Sequence, residues 1–328
     1  MTFWENVLHK GSAILKAALG LAIFISVEYA IYSAFGYLGV DRDIYRGCYN
    51  FLVSIANIVA MLIVWKICNR KDDPFIKVNK LSPDQFAALI IIAIGMLGFV
   101  TFYIIVADMI STYLESMKEA MVEYRENVDR YAETPQIVIP LWDSLLYIFT
   151  VSFIVPVSEE LIFRGVIFGH LRRAFKPWIA VILCAVSFGI MHGVSIHIGY
   201  ALVCGFIIAA CYHLTDSIIA PILLHMVFNV FGSGVLNFMT LEQLNIPGDV
   251  SSAIATGLNV SSLLFMPVAV MAFVYLISVK RKKVAAAKKL EEAVAARENI
   301  TEETTEEITD PAEEAVEPSE DGITEGDE

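Results

Sequence analysis

Residues 155–165 read VPVSEELIFRG, and the fold of the chain follows from what this stretch requires. It places two adjacent carboxylates, Glu159 and Glu160, and one guanidinium, Arg164, in a run that is otherwise apolar enough for a lipid bilayer. Ionisable side chains are costly to bury in a membrane segment and by default mark a functional site. The stretch therefore predicts a membrane span and a site of chemistry within it.

The composition of the whole chain is typical of a membrane protein with many spans. Of its 328 residues, 57% are hydrophobic and 18% are charged, and the mean hydropathy is +0.63. The net charge of -13 comes mostly from residues 291–328, which are rich in Glu and Asp. The remaining chain is close to balanced and has no basic face, which argues against nucleic-acid binding. The five cysteines form no close CxxC pair and are interpreted as small apolar residues in helices.

A bilayer core needs about 20 apolar residues of helix, and this window predicts an all-α bundle of about eight transmembrane helices. The predicted spans are 13–38, 50–68, 85–107, 139–158 continuing to 171, 177–193, 196–213, 217–236 and 258–279. Lysines and arginines cluster at alternate ends of these spans, and all the clusters lie on one side if both termini are cytoplasmic. We therefore expect a multi-pass protein of the cell membrane with cytoplasmic N- and C-termini.

The sequence divides into three regions. Residues 1–138 form an N-terminal transmembrane region of three spans with an external loop. In that loop, 108–138, Met and Tyr recur at helical spacing among charged residues. This pattern predicts an amphipathic helix that lies on the membrane or caps the bundle, the alternative being a solvated helix without a function. Residues 139–283 form a second transmembrane region, and 284–328 form a charged helix to residue 297 followed by a disordered acidic tail.

Three polar motifs lie in separate predicted spans. They are Glu159-Glu160-x-x-x-Arg164, Phe188-x-x-x-His192 and His225-x-x-x-Asn229. In each of them, side chains four residues apart share a helix face. Each motif also has a structural interpretation, as an ion pair near a helix end, a packed histidine or an asparagine bonded to a neighbouring helix.

The depth of the three motifs favours a functional interpretation. Arg172 and Lys176 mark the cytoplasmic surface in the predicted topology. At about 1.5 Å per helical residue, Glu159, His192 and His225 lie roughly 14 to 24 Å from that surface. Helix tilt absorbs such differences, so the three helices are expected to present these groups at one level inside the bundle.

The ordered set EExxxR, FxxxH and HxxxN resembles the CPBP family of intramembrane proteases. That family includes CAAX prenyl endopeptidases of the Rce1 type and bacterial proteins linked to bacteriocin processing or immunity. The similarity covers roughly residues 140–235, and the three motifs show no departure from the family pattern. It implies that residues 139–283 are a catalytic transmembrane core and that the chain is an intramembrane endopeptidase.

The resemblance also implies a role for each motif. Glu159 and His192 would activate a water for attack on a peptide carbonyl. His225 and Asn229 would stabilise the oxyanion that forms, because donors fixed in a water-poor cavity stabilise developing negative charge far better than water does.

The remaining motif residues would support the catalytic set. Glu160 and Arg164 would hold the carboxylate of the first helix in place, and Phe188 completes the FxxxH motif.

The sequence leaves two forms of this chemistry open. Glu159, His192 and His225 offer three ligands for a zinc ion, with a water in the fourth position. The HExxH helix of zinc proteases is absent, and a metal-free glutamate mechanism uses the same residues. We favour the metal-free mechanism.

The expected partners are the lipid bilayer and a peptide or protein substrate, with prenylated and bacteriocin-like peptides as the candidates. Two other functions stay open. One is a non-catalytic immunity or scaffold protein, suggested by the external loop and the acidic tail. The other is a proton-coupled transporter, because buried Glu, His and Arg side chains also form proton relays. The lack of a visible inverted repeat counts against the transporter.

Overall fold

A computed structural model describes residues 2–69, 74–129, 139–193 and 195–309. These residues form nine helices and no β-strand, which confirms the predicted all-α class. The helices are α1 (Phe3–Leu38), α2 (Arg46–Cys68), α3 (Pro83–Ser111), α4 (Glu115–Asp129), α5 (Leu141–Leu171), α6 (Pro177–Ile190), α7 (Ser195–Thr215), α8 (Ile219–Met239) and α9 (Gly248–Thr309). The chain forms two compact units, Met1–Ser278 and Val279–Glu328.

Seven of the described helices are long and apolar enough to cross a membrane. The remaining predicted span, 177–193, corresponds to the shorter helix α6. It has 14 residues, which rise only about 21 Å against a bilayer core of about 30 Å. The helix ends in a turn at Gly193, whose φ of 72° is left-handed. The predicted span ran to residue 193, since Met191 prolongs the apolar run.

Local sequence signals account for where the first helices begin. Thr2 and Glu5 form a capping box at α1, and Ser82 and Gln85 form one at α3. The N-terminus of α2 is capped from another helix instead. The buried Asp143 of α5 accepts hydrogen bonds from the N–H groups of Gly47 at 2.7 Å and Cys48 at 2.9 Å. This contact fixes the start of α2 against the start of α5.

Helix α5 is the centre of the first unit. Every residue from Glu160 to Gly169 is buried, and α1, α2, α6 and α8 all contact this helix. Two π-helical segments, Thr150–Ile154 and Leu161–Ile167, lie on either side of the Glu159–Glu160 pair. Pro156 lacks an N–H and cannot continue a regular hydrogen-bond ladder, and π-helical turns occur most often at functional sites.

Helices α6 and α7 form an antiparallel hairpin against α5. Glycines allow the close approach, since a Cβ on Gly189 would lie 3.1 Å from Leu202 and one on Gly205 would lie 2.9 Å from Phe188. The apolar face of α4 packs against this hairpin near the start of α7. There Met121 is buried with Ala107 of α3 and Ile196 of α7.

The last helix runs further than the sequence indicates. We expected the charged helix to end at residue 297, whereas α9 continues to Thr309. The acidic residues 310–328, predicted to be disordered, lie outside the described residues.

Candidate active site

Glu160 and Arg164 form an ion pair in the centre of the bundle. Arg164 Nη1 lies 2.9 Å from Glu160 Oε1, and both side chains are fully buried. Arg164 Nη2 also donates to the carbonyl of Gly205 on α7 at 2.9 Å, and its guanidinium lies 4.7 Å from the ring centroid of Phe188 on α6. A buried charge is tolerated only when it is paired and hydrogen-bonded, so this arrangement fixes the three helices relative to one another.

His225 of α8 is held by the same carboxylate. Its Nδ1 lies 2.7 Å from Glu160 Oε1. An ionised carboxylate can only accept hydrogen bonds, so we assign the Nδ1 proton to the histidine. The other ring nitrogen, Nε2, then points towards Glu159 and lies 3.9 Å from its Oε2. Glu160 thus orients His225, whereas the sequence assigned Glu160 to the support of its own helix.

Glu159 lies on the open side of α5. Its side chain is 23% exposed, in contrast to the fully buried Glu160. It lines a cavity of about 770 Å³ together with His192, His225 and Asn229. The four side chains to which the sequence assigned catalysis therefore face one cavity.

His192 reaches the cavity from the turn that follows α6. Its Nδ1 lies 2.8 Å from the carbonyl of Phe188, which can only accept, so Nδ1 carries the proton. The Nε2 atom of His192 is then a hydrogen-bond acceptor. Among the described residues, no hydrogen bond or ion pair joins His192 to Glu159 directly. The two side chains line the same cavity.

Asn229 is held by the first π-helical segment of α5. Its Nδ2 donates to the carbonyl of Val151 at 2.8 Å. An amide nitrogen carries two protons, so one N–H of Asn229 stays available. A third π-helical segment, Val230–Gly234, begins directly after Asn229. All three π-helical segments are therefore adjacent to residues of the cavity.

The structure does not support the zinc site that the sequence left open. Of the three candidate ligands, only Glu159 and His225 lie within 4.0 Å of each other. Within the described ranges, no three His, Cys, Asp or Glu side chains are arranged to hold a metal ion. The donor set does not fit a three-ligand zinc centre.

Several groups at the site carry no clear signal in the sequence. The Gly205 carbonyl that accepts from Arg164 could only be found from the packing of α7. His197 and Tyr200 line the cavity beside His192, and the ring centroids of the two histidines are 4.8 Å apart. Motifs within single helices do not reveal such contacts, because these contacts join residues from different elements.

The arrangement combines groups that are suited to acyl chemistry. Glu159 offers a carboxylate, and His192 offers a ring nitrogen that accepts. Asn229 offers an N–H group at the same cavity, and His225 presents its Nε2 atom there. A base beside fixed donors is what water attack on a carbonyl requires.

Part of the chain matches a known protein family, and the chain also resembles individual known proteins. Residues 141–231 match the family model described as Type II CAAX prenyl endopeptidase Rce1-like. MroQ of Staphylococcus aureus, named as a membrane-embedded CAAX protease, is 27% identical over 236 residues, which is 70% of this chain and 87% of MroQ. No solved structure gives a significant match.

Two further relatives match over shorter segments. YdiL of Bacillus subtilis, named as a candidate membrane peptidase, is 29% identical over 136 residues, which is 41% of this chain and 56% of YdiL. The UPF0177 protein YxdF of Lactococcus lactis is 30% identical over 92 residues, which is 28% of this chain and 50% of YxdF. The chain thus spans only about half the length of these two relatives. The family match and the names of two of these relatives support a membrane protease of the CPBP type, with the Rce1-like similarity at residues 141–231.

Proposed function

We propose that the chain is an intramembrane endopeptidase that hydrolyses a peptide bond through a water activated by Glu159 and His192. One observation carries the proposal. Glu159 of α5, His225 and Asn229 of α8, and His192 of the turn after α6 all line one cavity of about 770 Å³. A structural role for each residue separately gives no reason for this convergence.

The reaction begins with a water between Glu159 and His192. Glu159 accepts one proton of the water, while His192 Nε2 accepts a hydrogen bond from the other and orients the oxygen. The oxygen adds to the carbonyl carbon of the substrate, and the carbonyl oxygen becomes an oxyanion. The C–N bond then breaks, and the departing amine takes the proton from Glu159.

The oxyanion is stabilised from the opposite wall. The free N–H of Asn229 is one donor, and Nε2 of His225 is the other when the ring is doubly protonated. Glu160 Oε1 lies 2.7 Å from His225 Nδ1 and so fixes the ring with Nε2 towards Glu159. Donors held in place before the reaction need no reorganisation when charge develops.

The basic clusters support an orientation with cytoplasmic N- and C-termini in the cell membrane. The substrate is a peptide that reaches the cavity from the membrane. Prenylated and bacteriocin-like peptides are the two candidate classes, and both fit a cavity whose walls are mostly aliphatic and aromatic. The residues 139–283 would then form the catalytic core.

The test is cleavage of a library of quenched fluorescent peptides by the purified chain in lipid nanodiscs. We expect Glu159→Gln and His192→Ala to lose at least about 100-fold in kcat/KM, the scale of a lost general base. The control is Glu28→Gln, because Glu28 is an exposed carboxylate of α1 and does not line the cavity. Equal activity of wild type, Glu159→Gln and His192→Ala would contradict the proposal.

A further inference from the structure

A second group of polar side chains lines the catalytic cavity, at the side covered by α4. It consists of Tyr124 from α4 and of His197 and Tyr200 from α7, and we call it the outer ring cluster. The His197 ring stacks on Tyr200 with centroids 4.8 Å apart, and Tyr124 lines the same cavity. Since His197 also contacts His192, the cluster begins next to the proposed catalytic group.

Helix α4 is held firmly over this part of the cavity. Met121 is buried between α3 and α7, and Arg125 forms an ion pair with Asp108 of α3. Tyr124 lies on the same face as Met121 and is partly buried. The family match covers residues 141–231 only, so Tyr124 is a feature of this chain outside the matched region.

A peptide in this cavity needs partners for its backbone. Backbone N–H and C=O groups that leave water without a new partner lose several kcal/mol each. An extended peptide advances about 3.3 Å per residue, so groups next to the scissile bond extend beyond the catalytic set. The walls there are largely aliphatic, with Val100 and Ile104 of α3 among them.

Three other hydroxyl groups in the walls already form hydrogen bonds. Thr101 Oγ1 donates to Asn259, Ser233 Oγ to the carbonyl of Asn229 and Ser262 Oγ to the carbonyl of Asn259. In the part of the chain that the structure describes, the Tyr124 hydroxyl proton has no acceptor. Burial raises the pKa of Tyr124, which keeps this hydroxyl protonated and able to donate.

We propose that Tyr124, supported by Tyr200 and His197, binds a backbone carbonyl of the peptide substrate on the α4 side of the scissile bond. The inference rests on the proposed function, because it assumes that a peptide occupies the cavity. Tyr124 is then a binding residue for the ground state. Its loss weakens substrate binding and leaves the chemical step nearly unchanged.

The experiment measures binding separately from cleavage. A dye-labelled aliphatic peptide from the cleavage library is titrated onto the inert Glu159→Gln chain in nanodiscs. Adding Tyr124→Phe, which removes only the hydroxyl, should weaken Kd by about three- to tenfold, the range for one hydrogen bond. Tyr103→Phe is the matched control, because Tyr103 also contacts Tyr200 but does not line the cavity. It should leave Kd unchanged.

Replacing single amides of the peptide by esters locates the acceptor, since an ester carbonyl accepts more weakly. One such ester should weaken binding to the chain with Tyr124 and have no effect on the Tyr124→Phe chain. Equal Kd values for Glu159→Gln alone, with Tyr124→Phe and with Tyr103→Phe would overturn the inference. A lack of saturable binding would overturn it as well. Cleavage by the wild type that is lost in Glu159→Gln, together with equal Kd values, would retain the proposed function and reject the Tyr124 subsite.

Discussion

At the scale of single residues, Glu160 determines the geometry of the site. Its Oε1 accepts hydrogen bonds from both Arg164 and His225, so one atom joins α5 to α8. The neighbouring Glu159 is partly exposed to the cavity and makes no comparable contact. Two adjacent glutamates therefore lie in different environments, because successive helical residues point about 100° apart.

Removing the charge of Glu160 should destabilise the protein and abolish its activity. Glu160→Gln leaves Arg164 buried without its anion, and breaking a buried pair costs about 3–5 kcal/mol. The double variant Glu160→Gln, Arg164→Met removes both charges and should recover most of the melting temperature. It should stay inactive, because His225 has lost its ionised acceptor. Melting curves and peptide cleavage measure the two effects; a fully active double variant would contradict this account of His225.

Activity should survive chelators. The candidate zinc ligands line one cavity, but among the described residues no three are arranged to hold a metal ion, whereas Glu159 and His192 can orient a water by themselves. We therefore expect the cleavage rate to change less than about twofold after treatment with EDTA or 1,10-phenanthroline, well below the loss expected when a catalytic metal is removed. Loss of activity on chelation, with recovery on added Zn²⁺, would show that the side-chain mechanism is incomplete.

Sequence spacing predicts the contacts within one helix but not those between helices. The i, i+4 separation of Glu160 and Arg164 places both on one face, and the structure has them in an ion pair. The bond from His225 to Glu160 joins residues 65 positions apart, and nothing in either motif indicates it. The convergence at one cavity could be expected from depth alone, whereas the orientation of each ring nitrogen required the structure.

At the scale of elements, the start of α2 shows how the central helix is positioned. Asp143 accepts from two free N–H groups at the N-terminus of α2, where a negative charge also favours the helix dipole. A Cβ on Gly47 would collide with the backbone oxygen of Asp143. Close approach of the two backbones and the buried cap therefore both depend on glycine at this position.

Gly47→Ala should destabilise the protein by about 2 kcal/mol or more, since overpacking costs about 1–3 kcal/mol and the cap is displaced as well. The matched control is Gly11→Ala in α1, where a Cβ meets no atom within 4 Å. Alanine there should raise stability by up to about 1 kcal/mol, because it is the better helix former. Unfolding in detergent followed by circular dichroism measures both. A stable Gly47→Ala variant would show that α2 can shift away from α5.

Element boundaries are where sequence and structure differ most. Hydropathy places each of the eight predicted helices, but it does not detect that α6 stops at Ile190. It also gives no sign of the π-helical segments in α5, since these depend on how backbone carbonyls are shared after Pro156. The early end of α6 and the π-helical segments both occur at the cavity. There the backbone departs from regular α-helix, as is common where side chains must be placed for function.

At the scale of the whole molecule, the site is assembled from the first compact unit. The cavity is lined by residues of every helix from α3 to α8, of the turn after α6 and of the first part of α9. The approach of α9 to α3 is close, since a Cβ on Gly98 would collide with the backbone oxygen of Ser262. The acidic C-terminal region belongs to the second unit, Val279–Glu328. A protease should therefore depend on α9 up to the membrane surface and not on the residues beyond it.

A chain that ends at Lys283 should retain full activity and an unchanged melting temperature. It keeps the cavity wall from α9 and the basic residues 280–283 that anchor the span. A chain that ends at Pro247 is the contrast, because it loses Asn259 and Ser262 from the cavity and should be inactive. If the chain were a non-catalytic scaffold acting through its acidic tail, the first truncation would abolish its cellular effect while Glu159→Gln would not. Comparing these variants in the same cleavage and cellular assays separates the two functions. The protease function predicts that the truncation at Lys283 is harmless, and the scaffold function predicts that Glu159→Gln is harmless.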